Sequence, residues 1–209
     1  MVLIAPPPPS KPPAPIVKTL LAGSHLIRIF NTRHETQALT FRHYGPFNRF
    51  DHQRASASGT PQTDAERGIY YAGFTLSCCV VEVFGDRGVI EIKDDEWVAR
   101  VTLQRDLHLL ELSQNGAMRA GSVAALAKMA DRGLSQEWSR YFYEQTSVYG
   151  EIDGIHYLNA HNDEPAVALY ERARPALDCL PGNVMRLDSP SLRAVIQEIA
   201  IANHLDFVP

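Results

Sequence analysis

The sequence predicts an α+β fold: a single compact domain built on a central mixed or antiparallel sheet. Its length of 209 residues is that of one domain. Hydrophobic residues make up 45% of the chain, enough to bury a real core. Segments with strand and helix patterns are interspersed without a strict βαβ rhythm, which favours α+β over a parallel α/β fold.

The N-terminal segment, residues 1–22, is predicted to be a flexible tail. Residues 5–15 read APPPPSKPPAP and have no periodic apolar face. Such a composition favours a solvated polyproline II conformation. Two interpretations stay open: the segment is a ligand for a proline-binding module, or it is an N-terminal leader without a function of its own. The folded domain would then span residues 23–209.

Alternation of β-branched or apolar residues with polar ones predicts the strands. Residues 31–67 between the first two strands are polar and rich in Gly, Ser, Thr and Asp. A loop of that length is usually functional or disordered. The predicted strands cover residues 24–30, 68–72, 97–103, 107–112, 154–159 and, as a strand or a helical turn, 166–171.

A short buried helix is predicted after the second strand, with Thr75 as its N-cap and Gly85 as its C-terminal stop. A closing amphipathic helix is predicted at residues 191–203, since its apolar residues recur on one stripe. That stripe comprises Leu192, Val195, Ile196, Ile199 and Ala200. Two other helices are predicted at residues 122–131 and 136–144.

Charge limits the classes of ligand. The formal net charge is −4 and the pI is about 6.0. A negative net charge does not suit a protein that binds nucleic acid mainly by neutralising its phosphates. Basic residues nevertheless crowd the N-terminal quarter and predict a local positive pocket for a small phosphate-bearing ligand. These are Arg28, Arg33, Arg42, Arg49 and Arg54.

Cysteine usage and hydropathy indicate a cytoplasmic protein. Three cysteines, two of them adjacent, make a poor disulfide framework and favour a reducing compartment. No apolar run reaches the roughly 18 residues of a membrane span. The N-terminus lacks the basic region of a signal peptide.

Glu82 is the most informative single residue. It stands in the apolar run Cys-Cys-Val-Val-Glu-Val-Phe, where an unpaired carboxylate would be costly to bury. It therefore needs a cationic or hydrogen-bonding partner, as in a structural ion pair, or a chemical role. Arg49, in Phe-Asn-Arg-Phe-Asp, offers a planar fork suited to a diphosphate or a carboxylate. Tyr70 and Tyr71 are adjacent on a strand, so only one of them can face a given pocket.

Other site chemistries have weaker support. His161-Asn-Asp-Glu resembles a metal-ligand cluster, but it lacks the paired His or Cys spacing of strong zinc motifs, and no metal is expected. Cys78 and Cys79 lie in an apolar setting that raises a thiol's pKa and makes it unreactive. The sequence contains no glycine-rich phosphate loop, so a bound nucleotide must be held by another type of binding motif.

These motifs, in their order along the chain, resemble the RES domain. They are Leu-Ile-Arg-Ile, Asn-Arg-Phe-Asp, Ile-Tyr-Tyr-Ala, Val-Val-Glu-Val-Phe and Asp-Gly-Ile-His-Tyr-Leu-Asn. The resemblance covers about residues 25–173, with a predicted helical extension after about 174. Members of that family resemble compact ADP-ribosyltransferase toxins, which implies the same fold here. It also implies a toxin that cleaves NAD⁺ as a glycohydrolase or phosphorylase.

The resemblance also implies residue roles. Glu82 matches the family glutamate, Arg28 the first-strand arginine and Arg49 the arginine of a Gly-Arg-Phe/Trp-Asn motif. Tyr71 matches the family tyrosine by its spacing to Glu82, with Tyr70 as the alternative. Arg28, Arg49 and the tyrosines would bind the NAD⁺ substrate, and Glu82, Arg49, Tyr71 and Asn159 would form the catalytic set.

The chain departs from the family at Asn159, which stands where the family commonly has serine and supplies no hydroxyl. A catalytically silent NAD-binding protein therefore stays open. An ADP-ribosyltransferase with a protein target also stays open, because it needs the same pocket as NAD⁺ cleavage. The resemblance further implies a homodimer and a cognate Xre-like antitoxin. DNA would be contacted only through that partner.

Overall fold

The computed structural model describes residues 3–34 and 36–208. Its strands are β1 Val17–Leu20, β2 His25–Asn31, β3 Tyr44–Gly45, β4 Gln62–Thr63, β5 Ile69–Gly73, β6 Val89–Glu91, β7 Glu96–Leu103, β8 Leu107–Glu111, β9 Gly154–Leu158, β10 Pro165–Tyr170, β11 Leu177–Asp178, β12 Val184–Arg186 and β13 Asp206–Val208. Its helices are α1 Leu76–Phe84, α2 Gly116–Arg119, α3 Arg132–Glu144, α4 Thr146–Tyr149 and α5 Pro190–Ala202.

A nine-stranded mixed sheet forms the centre of the molecule. Its order is β1-β8-β9-β10-β5-β2-β7-β11, with β12 also pairing with β7. The β8–β9 pair is parallel. The other neighbours are antiparallel, as in the β2–β7 and β10–β5 pairs. The predicted α+β class with a mixed sheet is confirmed.

Side-chain alternation along the strands divides the core between the two faces of the sheet. One face carries a continuous cluster that includes Tyr70 of β5 and Leu26 of β2. The other face carries two clusters, one beneath α3 with Trp138 and Phe142. The second lies against α1 and α5 and includes Phe84. An open space remains between these two clusters.

Strands β2 and β5 meet at a single register pair, Ile27 and Gly73. Beyond that pair they are not joined by ladder hydrogen bonds, so the sheet opens beside residues 28 and 71. Gly73 is required there by close packing, because an added Cβ would lie 2.9 Å from both Cβ and Sγ of Cys78 on α1. The opening between the strands positions the site described below.

The N-terminal segment is packed rather than free, which corrects the prediction of a flexible tail through residue 22. Residues 17–20 form the edge strand β1 against β8. Upstream, Trp138 Nε1 donates to the carbonyl of Ala5 at 2.9 Å, and the Ala14 amide donates to Arg119 at 2.8 Å. Prolines lack an amide donor but keep their carbonyls, so such a segment can still dock through acceptors and apolar rings.

Two predicted helical stretches differ from the structure. Residues 122–131 contain only a short 3₁₀ turn, Ala124–Ala127, because Asp131 instead caps α3 by accepting from Gly133 at 2.9 Å. The extension after residue 174 is not purely helical, since β11, β12 and β13 accompany α5. Within α5, Val195 is exposed while Ile196, Ile199 and Ala200 are buried.

The remaining strand and helix predictions are confirmed to within a few residues, including β2, β5, β7, β8, β9, β10 and α1. Part of the predicted 31–67 loop is packed, with Asp51, His52 and Gln53 buried, while residues 57–60 are exposed. Among the described residues, no helix combines the length and apolar character needed to cross a membrane.

Candidate active site

A cleft of about 540 Å³ opens where β2 and β5 diverge. One side, here called the strand–helix wall, consists of β5 and α1. The opposite side, the loop wall, consists of residues 46–51 and 128–132. The turn at residues 159–164, between β9 and β10, borders the entrance through Ala160 and His161. A volume of this size is ordinary for a site that holds a small ligand.

Glu82 projects from α1 into this cleft. Thr75 begins the helix by accepting from the Cys78 amide at 2.9 Å, and Cys78 and Cys79 on the buried face hold it against the sheet. The carboxyl group is open to the cleft but closely surrounded, and desolvation raises its pKa while His161 and Arg49 oppose the rise. Within residues 3–34 and 36–208, no cation forms an ion pair with Glu82, so the predicted structural ion pair is absent there.

Asp51 organises the loop that carries Arg49. Its buried carboxylate accepts from Arg42 at 2.7–2.8 Å, from the amides of Phe47 and Asn48 at 2.6 and 2.9 Å, and from the Tyr71 hydroxyl at 2.9 Å. Charge-assisted bonds of this kind fix loop geometry strongly. Asp51 thereby connects the loop wall to β5.

Arg49 lines the loop wall of the cleft. Its Nη1 donates to the carbonyl of Met129, joining residues 46–51 to residues 128–132. The charge of Arg49 also opposes the rise in the pKa of Glu82 on the facing wall. A cation and a carboxylate that forms no ion pair within the described residues therefore share the cleft.

The two tyrosines of β5 face opposite sides, as predicted. Tyr71 lines the cleft, and its hydroxyl accepts from the Phe50 amide at 3.0 Å while burial raises its pKa. Tyr70 lies in the core on the other face and donates to Ala38 at 2.9 Å, so its predicted ligand contact is not supported. Arg28 also lines the cleft, but its guanidinium lies on the Tyr70 side of the sheet, where it stacks 4.2 Å from the Tyr70 ring centroid.

Asn159 does not line the cleft, and this position gives no support to its predicted contact with the substrate. It is fully buried. Its Oδ1 accepts from the amides of His161 and Asn162 at 3.1 and 2.9 Å, and its Nδ2 donates to Asn162 Oδ1 at 2.8 Å. The amide side chain is thus occupied in shaping the turn at residues 159–164.

The cleft contains two cations that the sequence did not indicate, Lys128 and Arg132, and it also contains His161. Asp51, which supports the loop wall, is the last residue of the Asn-Arg-Phe-Asp motif, so the motif could have indicated its role. Lys128 and Arg132 belong to no motif of that kind. His161 was considered only as a metal ligand, and in the described chain no three His, Cys, Asp or Glu side chains form a metal-binding group. Gly85 faces His161, where an added Cβ would lie 2.9 Å from Nδ1.

Gly85 ends α1 at the predicted position but for a different reason. Its φ of −57° is right-handed, and the left-handed residue is Gly88, φ +70°, after a 3₁₀ turn. Both cysteines of α1 are buried, and desolvation raises the pKa of Cys78 to about 11 and that of Cys79 further. Unreactive thiols behind the cleft agree with the sequence interpretation.

Comparison with known proteins relates this cleft to one family. A family model described as RES domain matches residues 25–188. A chain in the crystal structure of the M. tuberculosis MbcT-MbcA toxin–antitoxin complex aligns with a TM-score of 0.57 at 14% identity, covering 88% of this chain and 92% of that one. No curated protein matches significantly. The family match covers both cleft walls, and the chain belongs to the RES domain family.

Proposed function

We propose that this protein is a toxin that cleaves the nicotinamide–ribose bond of NAD⁺. The observation that carries the proposal is Glu82, a carboxylate without an ion-pair partner in the described chain, facing a cleft lined by Arg28, Arg49, Lys128 and Arg132. A cleft so rich in cations, on a chain of net charge −4, suits a diphosphate ligand.

The proposed chemistry places positive charge on the ribose. As the C1′–N bond breaks, nicotinamide leaves with the bonding electron pair and the ribose acquires oxocarbenium character. The Glu82 carboxylate offsets that charge and holds a ribose hydroxyl. Water, phosphate or a protein nucleophile then bonds to C1′ and loses its proton.

The other cleft residues bind and orient the substrate. Arg49 binds the pyrophosphate from the loop wall, and Arg28, whose guanidinium is held by Thr40 and Tyr70, adds positive charge beside the cleft. Tyr71, fixed by Asp51 and the Phe50 amide, presents its ring for packing against the nicotinamide or its ribose. Asn159 acts only by positioning the turn that carries Ala160 and His161.

The test is release of nicotinamide from NAD⁺ by the purified protein, with and without phosphate. Glu82→Gln keeps the shape and removes the charge, so release should fall by about a hundredfold or more, the range for losing one electrostatic stabiliser. Glu198→Gln, on an exposed position of α5, is the matched control. Equal release by wild type and Glu82→Gln would remove Glu82 from the mechanism, and tagged NAD⁺ would detect transfer to protein instead.

Acidic pH should inactivate the enzyme through Glu82. Because desolvation raises its pKa above the usual 4.5, Glu82 retains its proton at pH values where an ordinary glutamate is ionised. Activity is therefore present above the raised pKa and lost as pH falls through it. A pH profile of kcat/KM measures the acid limb. That limb should be missing from the residual activity of Glu82→Gln.

A toxin needs restraint, and we propose a cognate protein antitoxin of the Xre-like, DNA-binding type. The support is the structural neighbour, which comes from a toxin–antitoxin complex. We also propose a cytoplasmic homodimer, with no direct nucleic-acid contact. Expression in a bacterial host should lower NAD⁺ and arrest growth, and the partner should restore both. Unchanged NAD⁺ on expression would contradict the toxin proposal.

A further inference from the structure

Lys128 differs from the other cations of the cleft because its partner is a carboxylate, whereas Arg28, Arg49 and Arg132 donate to main-chain carbonyls. Arg28 donates to the Thr40 carbonyl at 2.7 Å and stacks on Tyr70, while Arg49 is bonded to the Met129 carbonyl. Lys128 lines the same cleft, but its partner is Asp163, a carboxylate on the turn at residues 159–164. The side chains of Lys128 and Asp163 are 43% and 61% exposed. Their ion pair therefore lies at the solvent side of the cleft.

The Lys128–Asp163 pair connects the loop wall with the turn that borders the entrance. Both ends have further ties, since Met129 holds Arg49 and the turn carries Ala160 and His161. An exposed pair of this kind contributes only about 0–1 kcal/mol, because both charges keep most of their water. Lys128 can therefore leave Asp163 and bind a ligand of greater charge at little cost in free energy.

A pyrophosphate is such a ligand. It carries more charge than a single carboxylate, and a flexible ammonium group binds phosphate well as a point charge. Lys128 sits on residues 128–132, beside the main-chain carbonyl that fixes Arg49. A pyrophosphate held by Arg49 would thus lie within the same cation-lined wall as Lys128.

We infer that Lys128 is a ligand for the substrate's pyrophosphate and that Asp163 occupies it until the substrate binds. This inference rests on the proposed function and deepens it. Asp163 acts as an internal competitor, so it weakens substrate binding and holds the entrance together in the free protein. Binding exchanges the Lys128–Asp163 pair for a Lys128–phosphate contact.

The experiment is a double-mutant cycle read by calorimetric titration with inorganic pyrophosphate and, separately, ADP-ribose. Asp163→Asn frees Lys128 and should tighten binding by about two- to fivefold, the range for an exposed pair. Asn also tolerates the left-handed backbone of position 163, φ +61°, so the turn is retained. Lys128→Met should weaken binding several-fold. In the Lys128→Met background, Asp163→Asn should change nothing.

Asp188→Asn is the control, because Asp188 pairs with Arg186 at the surface outside the cleft. It should leave both affinities unchanged. Raising the salt concentration should reduce the difference in pyrophosphate affinity between wild type and Asp163→Asn, since salt screens the Lys128–Asp163 pair. Absence of pyrophosphate binding by wild type, or an Asp163→Asn variant that binds no tighter, overturns the inference. So does an unchanged affinity in Lys128→Met.

The pyrophosphate titration is independent of turnover, so the two proposals can fail separately. A cycle with the expected signs in a protein that releases no nicotinamide would leave the Lys128 site standing and refute NAD⁺ cleavage. Nicotinamide release, with pyrophosphate affinity unchanged in the Lys128 and Asp163 variants, would support NAD⁺ cleavage and refute the Lys128 site.

Discussion

The two walls of the cleft are built by different forces. The strand–helix wall consists of regular elements, with β5 paired to β10 over five residues and α1 burying Cys78, Cys79, Val80, Val81 and Phe84. The loop wall contains almost no regular structure and is held by side chains that bind main-chain groups, chiefly Asp51 and Arg49. The carboxylate thus stands on a rigid support, while the cations depend on a few polar bonds. The position of Glu82 should tolerate changes that disturb Arg49.

Asp51→Asn should have the largest effect on stability, because it acts on the loop wall. It removes the charge that binds Arg42, Phe47 and Asn48, and breaking a buried ion pair costs about 3–5 kcal/mol. Arg42 is 30% exposed, so we expect the lower end, about 3 kcal/mol, in denaturant unfolding. The KM for NAD⁺ should rise more than kcat falls.

Asp188→Asn is the control for Asp51→Asn, since it removes an exposed carboxylate. Unfolding of Asp51→Asn at the wild-type denaturant concentration would show that the loop wall is held without this charge. The contrast between the two walls would then be wrong.

Gly73→Ala should disturb the strand–helix wall instead. The added methyl would lie 2.9 Å from Cys78 and 3.0 Å from the Cys79 sulfur, so α1 must shift or the strand must bend. Overpacking of this kind costs about 2 kcal/mol. Because α1 carries Glu82, kcat should fall while KM changes little. Gly182→Ala is the control, since an added Cβ there meets nothing within 4 Å. A rise in KM with kcat unchanged would show that the added methyl disturbs substrate binding and leaves Glu82 in place.

Asn203→Ala should have the smallest effect and tests the brace outside the family match. Asn203 accepts from Asn162 at 2.8 Å and donates weakly to Ser77 at 3.4 Å, which joins α5 to the turn and to α1. Losing these bonds should cost about 1 kcal/mol. Amide hydrogen exchange should quicken in the turn at residues 159–164. Gln197→Ala, exposed on the same helix, should leave exchange unchanged, and equal protection in both variants would exclude the brace.

Local pattern predicted much of the fold and part of the cleft. Thr75 indicated the start of α1, and the alternation of Tyr70 and Tyr71 placed them on opposite faces, because both signals arise within a few residues of chain. The prediction at residues 122–131 was wrong because Asp131 serves as an N-cap for the following helix. Nothing in the sequence indicated that Asn159 shapes a turn, because its partners, His161 and Asn162, occupy both ends of its amide only once the turn is folded.

The sequence by itself determined the α+β class, most of the strands, and the presence of a carboxylate and arginines suited to one cleft. Only the tertiary structure decided which of these residues meet. Glu82 of α1 and Arg49 of the loop wall line one cleft, which opens where β2 and β5 part beyond the Ile27–Gly73 pair. Lys128 joins them because the loop wall folds back through Met129. These contacts join residues far apart in the chain, and local propensity carries no information about such pairings.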